Sequence, residues 1–415
     1  MASLISLIHR NWVMFNPSMP PKTKDALRLG LLGASTIAPI AIIGPAKSHP
    51  EVIIAAVAAR DEKRADAYAR KHGIPIVHKS YQELIEDPAI DAVYIPLPNG
   101  LHYEWTIRAL KAHKHVLLEK PSTSTAAEAA SLFHHPLFQQ PRAPVVLEAF
   151  HSRFHPACPA FLALLDPQTV VSAHAVMSCP RFVFPDTDIR FNYDISGGAA
   201  MDMGPYAVLF LRMVFGAEPT RCVDAVPRLM PEGSDQRCDQ AMVARWQFPN
   251  GGHGSIDIDL SSRGWGGVPT FSWPKCEVVH GETTIEDESL REGEEHVLVK
   301  TVTFWNFVMP TIWHRIDITE RHIIRTSPDK KTVKTWTTTQ YRKVYTWEDE
   351  SRRIKGDESW STYRHQLEQF VDKVKGKEPS SGLWMDAEDS VKQMTMIDSV
   401  YEKAGLPLRP TSSYR

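Results

Sequence analysis

The chain of 415 residues lacks the features that mark membrane-spanning, nucleic-acid-binding and secreted proteins. No apolar run reaches the roughly 18–20 residues that a membrane-spanning helix needs. Lysine and arginine total 47 and aspartate and glutamate total 49, so the formal net charge is −2 and no basic excess indicates a nucleic-acid partner. The five cysteines form no Cys-x-x-Cys pair, and no Asn-x-Ser/Thr glycosylation site occurs. We therefore expect a cytoplasmic protein with no disulfide framework and no membrane or nucleic-acid partner.

The remaining composition is that of an ordinary globular protein, with 43% hydrophobic and 23% charged residues. The first 26 residues are the exception. The apolar start of this segment is interrupted at His9 and Arg10, which makes it too short for a signal-peptide core. Residues 1–15 contain serines and an arginine and no acidic residue, which leaves a mitochondrial presequence open. We favour a disordered or surface-packed extension over residues 1–26, ending in a linker rich in proline and lysine.

Residues 27–150 alternate between short apolar runs and helical patterns. A parallel sheet covered on both faces produces this alternation, because each strand is then apolar throughout. We predict a doubly wound Rossmann domain over 27–150. Its predicted strands are Leu27–Gly33, Val52–Ala59, Asp91–Pro96, His115–Glu119 and Val145–Ala149.

The pattern changes after about residue 168. Three segments, 170–178, 240–248 and 254–259, alternate apolar with polar residues, which indicates an antiparallel sheet with one covered face. The acidic stretch 283–300 predicts a solvated hairpin, and 327–347 predicts exposed strands. Helical patterns follow at 359–376 and 385–404. We assign residues 151–415 to a second, C-terminal domain that binds substrate.

The turn after the first strand, Gly33 to Ala38, is a degenerate G-x-G-x-x-G motif. Gly33 allows the tight turn, while the small residues Ser35 and Ala38 let the backbone approach a pyrophosphate. An ordinary strand-to-helix turn can have the same sequence pattern. The position of the Gly33–Ala38 motif in the first unit of the alternating series favours dinucleotide binding.

Arg60 stands where a NAD site expects an acid that binds the ribose hydroxyl. A guanidinium can pair with a 2′-phosphate, so we favour NADP over NAD. The alternative is that Arg60 is solvated and Asp61 serves NAD.

Three further residues carry candidate chemistry. Lys120 follows the fourth predicted strand at its carboxyl end, where ligands of open α/β sheets bind. Asp202 and Tyr206 follow the Gly197-Gly198 pair and are four residues apart, so a helix would place them on one face. A carboxylate and a phenol on one face can bind and deprotonate a hydroxyl. Taken singly, each also fits a structural role as an exposed lysine, a capping aspartate or a core tyrosine. The scattered histidines and cysteines form no ligand set, so we expect no metal.

Together these features resemble the Gfo/Idh/MocA oxidoreductase family, in particular its dihydrodiol dehydrogenase and D-xylose dehydrogenase branch. The resemblance covers about residues 28–408. It is carried by the segments Leu32–Ala38, Ala58–Asp61, Val93–Asn99, His115–Pro121, Glu148–Pro156, Asp188–Phe191, Gly197–Tyr206, Asn306–Pro310 and Thr362–Gln366.

The resemblance implies a Rossmann domain followed by an α/β domain with a large, mostly antiparallel open sheet, which often forms a homodimer. It implies that Lys120, Asp202 and Tyr206 are catalytic, with Tyr206 as the acid or base and a hydrogen bond from Lys120 lowering its pKa. The implied cofactor-binding residues are Gly33, Ala34, Ser35, Thr36, Ile37, Arg60, Pro96, Leu97, Asn99, His102, Glu119, Lys120 and Arg153. The implied substrate-binding residues are Lys120, His151, Arg190, Asp202 and Tyr206.

The function we expect is hydride transfer between NADP, or NAD, and a hydroxyl or carbonyl carbon of a sugar or a trans-dihydrodiol. One alternative is a biosynthetic reductase or a redox-neutral epimerase acting on a larger aromatic substrate. It depends on an apolar pocket lined by aromatics after residue 265, namely Trp265, Phe271, Trp273, Phe304, Trp305, Phe307 and Trp313. A non-catalytic, cofactor-binding regulator is the other alternative, and the presence of Lys120 argues against it.

Overall fold

The computed structural model describes residues 2–140, 142–264, 272–347, 355–377 and 381–414. Among these residues, six parallel strands form one sheet in the order β3-β2-β1-β4-β5-β6. The strands are β1 (Leu27–Leu32), β2 (Val52–Ala58), β3 (Ile76–His78), β4 (Ala92–Ile95), β5 (His115–Leu118) and β6 (Val146–Glu148). The central strands are buried, as the apolar runs predict.

The helices of residues 2–140 are α1 (Ala2–Phe15), α2 (Gly44–Ser48), α3 (Glu62–His72), α4 (Tyr81–Glu86), α5 (His102–Lys111) and α6 (Ala126–Phe133). Three of them begin at a capping side chain. Asp61 caps α3 by accepting a hydrogen bond from the Arg64 backbone N–H, and Gly73 ends the helix at a φ of 69°. Ser80 and Thr125 cap α4 and α6 in the same way.

The helix predicted after the phosphate turn differs in detail. The chain first forms a π-helical turn over Pro39–Ile43 and only then α2. Pro39 and Pro45 carry no backbone N–H, so a regular α-helical ladder cannot run through this stretch.

A second sheet follows, to which the described residues contribute nine strands. Eight of them run in the order β15-β14-β13-β11-β7-β10-β9-β8, and β12 pairs with β13. Every pair is antiparallel except β7 with β10, which is parallel. The strands are β7 (Val170–Pro180), β8 (Arg221–Leu229), β9 (Asp239–Gln247), β10 (His253–Ser262), β11 (Lys275–His280), β12 (Thr283–Ile285), β13 (Glu294–Trp305), β14 (Arg315–Thr326) and β15 (Thr332–Arg342). The predicted α/β class with a mostly antiparallel second sheet is confirmed.

Two expectations on this sheet have clear structural counterparts. The acidic stretch forms the β12–β13 hairpin, and β15 is an exposed edge strand. The strands β3, β8, β11 and β14 were not predicted. β3 has only three residues, and the pairing of β8 with β9 shifts register twice.

The remaining helices join the two sheets. They are α7 (Ala157–Leu162), α8 (Ala199–Asp202), α9 (Gly204–Phe215), α10 (Thr362–Val374) and α11 (Ala387–Lys403). Although α10 lies far along the chain, its apolar face packs into the core of the first sheet through Tyr363, Leu367, Phe370 and Val371. This packing brings the start of α10 to the carboxyl end of the parallel strands.

The N-terminal segment is helical and packs on the surface. The Arg10 side chain is buried, donates to the Thr311 carbonyl at 3.0 Å and lies 3.5 Å from the ring centre of Tyr345. The outward face of α1 exposes Leu4, Ile5, Ile8, Trp12 and Phe15. Within the described ranges, no helix is both long enough and apolar enough to cross a bilayer.

Candidate active site

The phosphate turn has the geometry that dinucleotide binding needs. Gly33 follows β1 with a φ of +117°, a conformation that residues with a Cβ rarely adopt, and a Cβ there would lie 3.3 Å from Leu97. Its backbone N–H donates to the Ala58 carbonyl at 2.7 Å. The hydroxyl of Ser35 accepts from the Ile37 backbone N–H at 3.3 Å. This fixed turn, free of a side chain at its first position, fits a pyrophosphate.

A cavity of about 290 Å³ opens beside this turn, between the carboxyl ends of the parallel strands and the start of the second half of the chain. Most predicted site residues line it, namely Ser35, Thr36, Ile37, Pro96, Leu97, Asn99, Glu119, Lys120, Arg190, Asp202 and Tyr206. The hydrogen bond from the Asn99 side chain to the Ser196 carbonyl, at 2.8 Å, ties its two sides together.

An ionic network occupies one side of the cavity. The Lys120 ammonium donates to the Asp202 carboxylate at 2.8 Å and to its carbonyl at 2.7 Å. Arg190 donates to the other carboxylate oxygen of Asp202 at 3.1 Å and to Asp188 at 3.0 Å. Burial alone would raise the pKa of the Asp202 carboxyl, but the two cations and their hydrogen bonds hold it below its ordinary value. Asp202 is therefore a carboxylate at neutral pH.

Tyr206 is the third residue of α9, and its hydroxyl lies 3.0 Å from Nε2 of His151. Its ring centre is 4.9 Å from the Lys120 ammonium. The predicted single helix through Asp202 and Tyr206 is broken into α8 and α9 at Met203, and Pro205 lies in the first turn of α9. Both side chains nevertheless reach the same cavity.

The relation between Lys120 and Tyr206 differs from the expected one. The ammonium bonds Asp202 and not the phenol, because a carboxylate is a far stronger acceptor than a neutral hydroxyl. Burial, followed by the neighbouring Tyr363, Glu119 and Asp202, raises the pKa of the Tyr206 phenol well above its ordinary value. The expectation that its pKa is lowered is not met in this arrangement, and Tyr206 is protonated at neutral pH.

Six of the predicted site residues do not line the cavity. Gly33 and Ala34 form the turn behind its wall, and Arg60 lies exposed beyond the end of β2. His102 is buried and bonds the Leu97 and Pro121 carbonyls at 2.8 Å each, so it supports two loops that carry lining residues. Arg153 turns away to Asp389 on α11.

His151 also lies outside the wall, behind Tyr206. Burial, and then the Lys120 charge, lowers the pKa of His151 to about 3, so its imidazole is neutral.

Sequence reasoning missed several lining residues that belong to loops or to distant helices. They are Pro98, Ile189, Ile195, Gly197, Gly198 and Tyr363. Tyr363 lies in the segment Thr362–Gln366, whose resemblance to the family was the available signal. In the described part of the chain, no group of three or more possible ligands is placed to hold a metal ion.

Family profiles match both halves of the chain. One, described as the oxidoreductase family with an NAD-binding Rossmann fold, matches residues 27–136, and the GFO/IDH/MocA C-terminal domain matches 168–285. Among solved structures, a 3-ketoreductase from Actinomadura kijaniata in complex with NADP and TDP-benzene has a TM-score of 0.66 at 22% identity, covering 91% of this chain and 98% of that one. An aldose-aldose oxidoreductase from Caulobacter crescentus has a TM-score of 0.66 at 18% identity, covering 92% and 98%. These two likenesses concern the fold.

Sequence relatives give the same picture. The chain is 41% identical to a D-xylose 1-dehydrogenase (NADP(+)) of Haloferax volcanii over 194 residues, which are 46% of this chain and 58% of that enzyme. It is 33% identical to the trans-1,2-dihydrobenzene-1,2-diol dehydrogenase of Mus musculus over 241 residues, 57% of this chain and 69% of that enzyme. The chain thus spans less than two thirds of the first relative and slightly more than two thirds of the second. With both profiles matched in order, the chain belongs to the Gfo/Idh/MocA family of oxidoreductases and carries its NAD(P)-binding Rossmann domain.

Proposed function

We propose that this protein transfers a hydride between NADP and a hydroxyl or carbonyl carbon of an uncharged sugar or trans-dihydrodiol. The observation that carries this proposal is the convergence of Lys120, Asp202 and Tyr206 on one cavity beside the phosphate turn. The names of the relatives, a xylose dehydrogenase and dihydrodiol dehydrogenases, support the substrate class.

The residues that would hold the cofactor are those of the turn and of the loop after β4. Ser35, Thr36 and Ile37 would face its phosphates, and Pro96 and Leu97 the route to the reacting ring. When bound, a nicotinamide cofactor supplies or accepts the hydride.

Tyr206 is the proton donor or acceptor in this proposal. In the reducing direction, its neutral phenol donates a proton to the carbonyl oxygen of the substrate, and in the oxidising direction it takes the proton back. General acid catalysis of this kind contributes typically about 10²–10⁴-fold to a rate. Lys120, held by Asp202, places a positive charge beside the oxygen on which negative charge develops.

The charges of the cavity favour an uncharged substrate. Both lining cations, Lys120 and Arg190, are already paired with the Asp202 carboxylate. A carboxylate or phosphate on the substrate would have to displace that pair, whereas hydroxyl groups can share its remaining donors and acceptors. Polyols and diols therefore suit this site.

The preference for NADP rests on the surface beyond β2. Arg60 lies exposed there, and Arg64 donates to the Ala34 carbonyl of the phosphate turn at 2.9 Å. Two guanidinium groups beside the turn suit a 2′-phosphate. The xylose dehydrogenase relative is named for NADP as well.

A larger aromatic substrate has less support. None of Trp273, Phe304, Trp305, Phe307 and Trp313 lines the cavity among the residues that the structure describes, and Phe304 and Phe307 are in the hydrophobic core. Trp265 and Phe271 lie outside the described residues.

We also propose a domain boundary, an oligomeric state and a cellular compartment for this protein. The boundary near residue 150 would separate a cofactor domain from a substrate domain, and a cytoplasmic homodimer would form through the open face of the second sheet. Val226 on β8 and Val243 on β9 are exposed apolar side chains on that sheet, which supports a covered face in a dimer. Light scattering behind a sizing column measures the assembly, and a monomer would contradict this part of the proposal.

The decisive experiment is a turnover assay. The purified protein is mixed with NADPH or NADP and a panel of pentoses, hexoses, trans-diols and diketones, and the absorbance of the reduced nicotinamide is followed. We expect turnover of a sugar or diol, and its loss in Lys120→Met while NADPH still binds by fluorescence. Lys392→Met, at an exposed position on α11, is the matched control. Binding of NADPH without turnover of any panel member would instead favour a regulator.

A further inference from the structure

His151 makes two hydrogen bonds at the back of the active site. It begins a short turn, His151–Phe154, after β6, and only 1% of its surface is exposed. Its Nε2 lies 3.0 Å from the Tyr206 hydroxyl and its Nδ1 lies 2.8 Å from the Thr362 hydroxyl. Because it is screened from the cavity by Tyr206, a direct contact with substrate is not open to it.

We propose that His151 is a positioning residue for Tyr206: Thr362 sets its tautomer, and its Nε2–H donates to the Tyr206 oxygen. The phenol proton is then left for the other side of the oxygen, where the Tyr363 hydroxyl is its hydrogen-bond partner and the substrate can take the place of that partner. This inference rests on the proposed function, since it assigns Tyr206 a proton to transfer.

The tautomer follows from the partners of Thr362. A neutral imidazole has one N–H and one acceptor nitrogen, so the two hydrogen bonds of His151 must run in opposite senses. Thr362 has one proton, and its alternative acceptor is the Met309 sulfur at 3.9 Å, a weak acceptor at long range. The Thr362 proton is better used on Nδ1 at 2.8 Å. Nε2 then carries the hydrogen and points it at Tyr206.

The surrounding rings hold the imidazole in this position. The ring of His151 lies against that of Tyr363 with a centroid separation of 3.9 Å and a tilt of 34° between the ring planes. It meets the ring of Tyr206 nearly edge-on at 5.4 Å. Thr362 and Tyr363 begin α10, whose start is capped by the Ser361 hydroxyl accepting from the Arg364 backbone N–H. A capped and buried helix start gives His151 a fixed partner.

This arrangement matters most when the phenol has given up its proton. The groups that face Tyr206 from the surrounding elements are Glu119, Lys120, His151, Asp202 and Tyr363. Two of them are acids, and the one cation is bonded to Asp202. A hydrogen bond from His151 therefore stabilises the phenolate directly, and hydrogen bonds to charged groups are stronger than neutral ones.

Two substitutions separate the two bonds of His151. The amide nitrogen of asparagine reaches about as far as Nδ1, and that of glutamine about as far as Nε2. His151→Gln can thus still donate to Tyr206, whereas His151→Asn can only reach Thr362. We expect His151→Asn to lower kcat about ten- to a hundred-fold with little change in KM. His151→Gln should retain most of the wild-type kcat.

A spectroscopic readout tests the tautomer without any turnover. Long-range proton–nitrogen correlation spectra of protein labelled with ¹⁵N-histidine distinguish the two tautomers, and the His151 signals are those that vanish in His151→Gln. We expect the Nε2–H form in the wild type and in Thr362→Ser. In Thr362→Val the lost donor should shift His151 toward the Nδ1–H form, while NADPH binding shows that the variant is folded.

The outcomes distinguish this inference from the proposed function. An Nδ1–H tautomer in the wild type, or equal kinetics of His151→Asn and His151→Gln, overturns the inference while turnover by the wild type upholds the proposed function. Absence of turnover in the wild type overturns the proposed function, and with it the role of His151 in catalysis, whatever tautomer the spectra show.

Discussion

The Lys120 ammonium and the Asp202 carboxylate, 2.8 Å apart, form an ion pair across the candidate active site. Lys120 follows β5 of the parallel sheet, and Asp202 ends α8 beside the second sheet. The pair sets the charge of the cavity, because it engages the cation nearest to the Tyr206 ring. It also orients both side chains toward the space where substrate and cofactor would meet.

Tyr206→Phe should abolish most turnover and leave cofactor binding intact. The phenol proton is lost, so we expect kcat to fall by about 10²–10⁴-fold, while the NADPH dissociation constant stays within about twofold. His151 also loses a buried partner, which should lower the free energy of unfolding by about 1–3 kcal/mol. Steady-state kinetics, fluorescence titration and urea unfolding measure the three effects. Near-full activity would show that another group moves the proton.

Arg60→Ala should weaken NADP binding about ten- to a hundred-fold and NAD binding little. The reason is that only NADP offers a 2′-phosphate for a charge-assisted hydrogen bond. Isothermal titration with both cofactors gives the ratio. Arg70→Ala, an exposed arginine at the end of α3, is the control and should change neither affinity. Equal losses of affinity for NADP and NAD would show that Arg60 does not bind the 2′-phosphate.

Arg409→Met should destabilise the protein strongly. Arg409 donates to Asp239 at 2.6 Å in a pair with no exposed surface, and to the Gly197 carbonyl at 2.6 Å. Removal of one member leaves a buried charge without its partner, which costs about 3–5 kcal/mol. Chemical unfolding measures this loss against Arg221→Met, an exposed position on β8.

The same substitution should raise the KM for substrate. Gly197 and the adjoining Gly198 line the cavity, and the Arg409 bond holds their backbone in place. An unchanged KM in the Arg409→Met protein, measured at a temperature where it stays folded, would show that this anchor serves stability alone.

Glu148 should lower the free energy of unfolding by a growing amount as pH rises from about 4.5 to about 7. Burial raises the pKa of this carboxyl from 4.5 to about 7 in the folded protein. The unfolded chain therefore releases the proton first, and the stability present below about 4.5 is lost as pH rises through this range. One such group contributes a slope of up to about 1.4 kcal/mol per pH unit.

Glu148→Gln should remove this contribution, so that its free energy of unfolding rises with pH relative to the wild type over this range, whereas the exposed control Glu288→Gln should run parallel to the wild type. Asp398, whose pKa burial raises to about 7, contributes with the same sign as Glu148. The buried histidines His102, His151 and His365, whose pKa values burial lowers to between about 3 and 4, contribute with the opposite sign. Urea unfolding at a series of pH values supplies the curves. If the free energy of unfolding had the same pH dependence in the wild type and in Glu148→Gln, Glu148 would not be a group that titrates with folding in this range.

Local chemistry was enough to predict the first half of the molecule. The apolar strands 52–59 and 115–119 become β2 and β5, and Gly33 takes the positive φ that its place in the motif requires. The cause is short-range: burial of both faces of a parallel sheet and a turn that excludes a Cβ act within a few residues. For the same reason Lys120 was correctly expected at the carboxyl end of its strand.

The amino-acid sequence alone thus predicted the fold class, the family and the convergence of Lys120, Asp202 and Tyr206 on one cavity. Tertiary structure decided how that set is arranged: Lys120 bonds Asp202, the phenol stays protonated, and His151 and Thr362 stand behind it. These contacts join residues that lie from about fifty to more than two hundred positions apart. Such pairings depend on which helix packs over which strand and on burial that shifts proton affinity, and no local pattern records either.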